Sequence, residues 1–96
     1  MSESRDAFIK KTKAKLDEWN AEIAKLEAKA RQHEADAQAK LEDRIETLTK
    51  KRKSAEEDLD NLRQAGESAW VDLKAGVENA ASSLGDAIRS AQSRFS

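Results

Sequence analysis

The chain has 96 residues, of which 39% are charged, with a formal net charge of −1, no cysteine and no proline. Absence of cysteine excludes disulfide frameworks, thiolate metal sites and cysteine nucleophiles, and the length admits one domain at most. Apolar residues make up 38%, but alanine supplies 17 of them and Leu, Ile, Val and Phe together only 16. So little bulky side chain builds no large core in a lone chain, and partners are expected.

At the N-terminus, Ser2 or Ser4 can cap a first helix, with Glu3 and Asp6 near its positive end. From Ile9 to Ala37 apolar or small residues recur every seven positions. One set is Ile9, Leu16, Ile23, Ala30 and Ala37; the other is Thr12, Trp19, Leu26 and His33. Such a stripe winds slowly around a straight helix, and burying it along its length requires another helix alongside. Nothing interrupts helix formation before Gly66, so the spacing predicts one long coiled-coil helix over about 4–64, within a segment 1–64. It would extend roughly 90 Å, a length stable in water mainly in coiled coils or bundles.

Beyond Ala37 the bulky residues are Leu41, Ile45 and Leu48, which implies a one-residue skip in register. A second seam continues through Arg52, Ala55, Leu59 and Leu62. Between the seams, Ala28–Ala39 holds no large apolar side chain and is the weakest part of the stripe.

Gly66, with Arg63 in the preceding turn, predicts a break at 65–68, with Ser68 as the next cap. The alternative is a glycine tolerated within one continuous helix, at about 1 kcal/mol relative to alanine. In the segment 69–96, an amphipathic helix is expected over about 69–94. Trp70, Leu73, Val77, Ala81, Leu84, Ile88, Ala91 and Phe95 share one narrow face with an eleven-residue repeat. The two segments favour different winding, which suits a shorter second helix folded back along the first. Folding at Gly66 would put Trp70 near Leu59 and Leu62, and Phe95 near Leu41 or the alanine-rich zone beyond it. The fold class expected is therefore all-α: a helical hairpin assembling into a bundle, with a four-helix dimer as the first choice and a higher oligomer or a straight coiled coil as the runner-up.

Residues 1–54 carry 14 basic and 11 acidic side chains, and residues 55–96 carry 4 and 8. The run Lys50-Lys51-Arg52-Lys53 is followed at once by Glu56, Glu57, Asp58 and Asp60. The acidic block cancels most of the basic field beyond a Debye length of about 8–10 Å, so no nucleic-acid partner is expected. These charges read as solvated faces that set register between helices. Glu27–Arg31 and Glu46–Lys50 have the favourable four-residue spacing, about 0.2–0.5 kcal/mol each.

His33 is the one histidine, and neither Glu34 nor Asp36 completes a metal-ligand spacing. The three glycines are too far apart for a phosphate loop. No catalytic, cofactor or metal site is expected, and the chain reads as a non-enzyme. Trp19 and Trp70, spaced among Leu and Ile, read as core aromatics. The N-terminal residues do not read as a secretory signal and no stretch reads as a membrane span, so a cytoplasmic protein is the expectation.

Self-association follows as the expected activity, through Ile9, Leu16, Trp19, Ile23, Leu26, Leu41, Ile45, Leu48, Leu59 and Leu62. It would serve as a scaffold or adaptor, with an unidentified protein partner also admitted. The alternative is reversible binding to a membrane surface by the face of Trp70, Leu73, Val77, Leu84, Ile88 and Phe95, whose opposite side is rich in serine. A third reading is a chain loosely helical in dilute solution that orders on binding or drying.

The stretches Ser4-Arg5-Asp6-Ala7-Phe8, Leu16-Asp17-Glu18-Trp19-Asn20-Ala21-Glu22-Ile23 and Ala69-Trp70-Val71-Asp72-Leu73-Lys74-Ala75-Gly76-Val77-Glu78, with the closing Ser93-Arg94-Phe95, form a further pattern. Together they resemble a group of short bacterial coiled-coil proteins of unknown function. The resemblance implies a helical protein and brings no site residues with it.

Overall fold

The computed structural model describes residues 4–95 and contains three helices, α1 (Arg5–Ala30), α2 (Ala35–Arg63) and α3 (Glu67–Arg94). Their lengths are 26, 29 and 28 residues. The single helix expected over 4–64 is thus corrected to two, and the long-then-short arrangement to three helices of similar length. They run up, down and up in a bundle 51 × 18 × 16 Å across.

Local chemistry sets each boundary. Ser4 is extended (φ −66°, ψ 154°), and its hydroxyl accepts a hydrogen bond from the Ala7 amide at 3.1 Å, an N-cap reinforced by Asp6 in the first turn. Ser2 and Glu3, the other expected elements of this start, lie outside the described residues. At its far end α1 tightens, with Gln32 N donating to Lys29 O at 3.0 Å and His33 N to Ala30 O at 3.2 Å. Glu34 is then extended (φ −64°, ψ 165°) and α2 begins without a side-chain cap. Gly66 (φ −77°, ψ 172°) is the N-cap residue of α3. Ser68, expected in that role, lies inside the first turn.

The turn at 31–34 has an energetic cause that local helix propensity does not register. A straight rod would leave the stripes of a lone chain in water. Folding back gives up a few backbone hydrogen bonds, each worth a net of about 0.5–1.5 kcal/mol. In return it buries side chains worth about 1.5–3 kcal/mol each. Leu16, Ile23, Leu26, Leu41, Leu48, Leu62, Val77, Leu84 and Ile88 are all at most 3% exposed and belong to one core cluster. The break falls where it forfeits least, in the alanine-rich stretch between Leu26 and Leu41.

Candidate interaction surface

Within this chain, the residues expected at an oligomer interface pack together. Leu16, Ile23 and Leu26 from α1 enter the common core with Leu41, Ile45, Leu48, Leu59 and Leu62 from α2. Ile9 and Trp19 are half-buried against it. From α3, Val77, Leu84 and Ile88 are buried, while Trp70 and Phe95 pack at the margin. Leu73, expected on the packing face, is 36% exposed, and the adjacent Val71 is 70% exposed. These two are the large apolar side chains left in solvent among the described residues.

Trp70 meets α1. Its ring stands edge-on to Phe8, with centroids 6.0 Å apart. The Arg5 guanidinium lies over the same indole at 4.6 Å, and its Nη1 donates to the Ala65 carbonyl at 3.0 Å. Lys74 lies over Phe8 at 5.0 Å. The start of α1, the second turn and the first turns of α3 are therefore clamped at one end of the bundle. At the opposite end Phe95 stands edge-on to His33 at 6.4 Å. His33, expected on the inner seam of the rod or near its edge and partly buried, lies in the first turn and is half-buried.

The charged residues do not divide as expected. All six ion pairs among the described residues join positions three or four apart on one helix. Glu46–Lys50 closes at 3.3 Å. Glu27 and Arg31 flank an open groove beside Ala30 and Ile45 without forming such a pair. Links between helices are hydrogen bonds: Arg52 Nη1 to Asn20 Oδ1 at 2.9 Å, Lys51 Nζ to Ser83 Oγ at 3.3 Å, and Gln92 Nε2 to Glu22 Oε2 at 2.6 Å. Register between helices rests on these and on packing.

The basic run Lys50–Lys53 is dispersed around α2. Lys50 pairs along its own helix, Lys51 reaches α3, Arg52 turns towards α1, and Lys53 borders the α1–α2 groove. That groove is open, encloses about 360 Å³, and has Leu16 and Leu59 in its floor with Lys13, Asp17, Glu56, Asp60 and Arg63 on its rims. Among the described residues no group of three or more His, Cys, Asp or Glu side chains could hold a metal ion. None of the described helices is long and apolar enough to cross a membrane. No protein-family model, curated protein or solved structure matches this chain.

Proposed function

We propose that this chain is a non-enzymatic helical scaffold or adaptor that acts by associating with further copies of itself. The supporting observation is that its recognition chemistry is helix packing. Three helices of nearly equal length each bury an apolar stripe in a shared core, and the surface grooves are open and rimmed by mixed charge. A stripe of this kind is satisfied equally well by a helix of the same chain or of another. Light scattering coupled to gel filtration tests the reading. The expected mass rises from 10.7 kDa towards twice that value as concentration increases. A mass fixed at the monomer value up to millimolar concentration removes it.

A second reading, reversible membrane-surface binding, draws on Val71 and Leu73, exposed beside the half-buried Trp70. Full use of the α3 face would require Val77, Leu84 and Ile88 to leave the core. Vesicle flotation of the wild type and of Trp70→Ala tests it: the expected result is flotation that the substitution weakens. An absence of flotation by the wild type rules it out.

A further inference from the structure

The turn between α1 and α2 lacks the residues that normally enforce a helix stop. Arg31-Gln32-His33-Glu34 contains neither glycine nor proline, and no described residue has a positive φ. Arg31 is still in the helical region (φ −67°, ψ −16°), whereas Glu34 is extended and caps nothing with its side chain. Rotation about a few backbone bonds, Glu34 ψ foremost, converts this turn into helix without entering disfavoured space. The amides at the start of α2, which have no partners within that helix, would then bond to carbonyls at the end of α1.

The side-chain pattern also permits the straight form. Leu26, Ala30, His33, Ala37 and Leu41 follow one another at spacings of four, three, four and four, keeping one face inward across the junction. Straightening withdraws α1 from its own α2 and α3 and leaves their core faces bare. The vacated place is complementary to one object by construction: α1 of a second copy. That helix restores the same packing of Leu16, Ile23 and Leu26, the same Trp19–Gly85 contact, and the same polar links from Glu22 to Gln92 and from Asn20 to Arg52.

We infer that the partner of this chain is a second copy that exchanges α1, with residues 31–34 becoming helical in both chains. The inference rests on the self-association proposed above and specifies how it happens. The dimer contains two bundles, each built from α1 of one chain and α2–α3 of the other, joined by two continuous helices. Exchange of identical elements across a hinge is a low-cost route to a dimer.

Ala35→Pro tests it. Ala35 is the first residue of α2, where proline is favoured, and Glu34 before it already has the extended backbone that a following proline requires. In a continuous helix the same proline removes the bond to the Arg31 carbonyl and clashes with it. Light scattering should show dimerisation weakened at least tenfold in Ala35→Pro, with helicity and melting of the monomer retained. The double variant His33→Ala, Glu34→Ala, which raises helix propensity across the turn, should dimerise severalfold more tightly. Dimerisation of a folded Ala35→Pro at the wild-type level overturns exchange while leaving self-association intact. If the proline variant fails to fold, the double variant decides: tighter dimerisation supports exchange, and unchanged or weaker dimerisation overturns it. A wild type that never dimerises overturns both readings.

Discussion

The six-membered ring of Trp19 lies against the backbone of Gly85, so close that a Cβ on the glycine would sit 2.6 Å from Trp19 Cζ2. α1 and α3 approach here over an indole laid on a residue without a side chain. Gly85 is buried within α3, where a glycine otherwise costs helix stability. The missing side chain is what admits the indole at this distance.

Gly85→Ala should therefore destabilise the bundle by about 1–2 kcal/mol, overpacking exceeding the gain in helix propensity. Gly76→Ala provides the matched comparison, since an added Cβ there meets nothing within 4 Å. It should stabilise by about 0.5–1 kcal/mol. Thermal melting of the two variants should move in opposite directions, by about 4–8 °C per kcal/mol in a domain of this size. A shared direction would contradict the packing described.

Arg52 lies on the seam of α2, and its Nε is buried with no hydrogen-bond partner, although Nη1 reaches Asn20 and lies 3.7 Å from Glu56. Methionine keeps the apolar stem and removes the orphaned donor. Arg52→Met is expected to leave stability unchanged or raise it by up to about 1 kcal/mol in urea unfolding. A loss above about 2 kcal/mol would instead make the Asn20 link a principal support of the α1–α2 contact.

Arg5 joins α1 to the second turn through the Ala65 carbonyl and to α3 through the Trp70 ring. Arg5→Ala should cost about 1–2 kcal/mol, the sum of a charged hydrogen bond and a cation–π contact in a partly exposed setting. Lys15→Ala, which removes a longer contact to Trp19 (5.4 Å) and an exposed pair with Glu18, should cost less than about 0.5 kcal/mol. Chemical unfolding of both variants checks the ranking.

Because the ion pairs among the described residues are at least partly exposed and each is confined to one helix, salt should matter little. Raising sodium chloride from 0.05 to 1 M is expected to change unfolding free energy by less than about 1.5 kcal/mol. A large loss would point to charge pairing between helices.

The sequence made helices and their inward faces legible because the period of Leu16, Ile23 and Leu26, and of Val77, Leu84 and Ile88, is itself the geometry of packing. Ser4 was legible as a cap for a local reason: its hydroxyl and the Ala7 amide are three residues apart. The turn at 31–34 was not, because no residue there opposes helix. Its cause is the burial gained in a core that α1, α2 and α3 share, a sum over contacts distant in the chain. The one local trace was negative, the absence of bulky apolar residues between Leu26 and Leu41. Gly85 likewise showed nothing in its own segment, since its meaning lies in Trp19, 66 positions earlier. The interface residues were identified as a packing set, but a periodic stripe does not record whether the helix it meets belongs to the same chain.

The fold-back at 31–34 decides all of this, and the distance between Lys13 and Asp60 measures it directly. Both are exposed and border the same groove, on neighbouring helices whose axes pack about 8–10 Å apart. With no native cysteine, Lys13→Cys and Asp60→Cys give two unique sites for spin labels. Pulsed electron resonance at low micromolar concentration, with labelled chains diluted into unlabelled ones, should give one short distance consistent with adjacent helices. A dominant population near 70 Å, the span of a continuous helix between these positions at about 1.5 Å per residue, would contradict the three-helix bundle as the resting form.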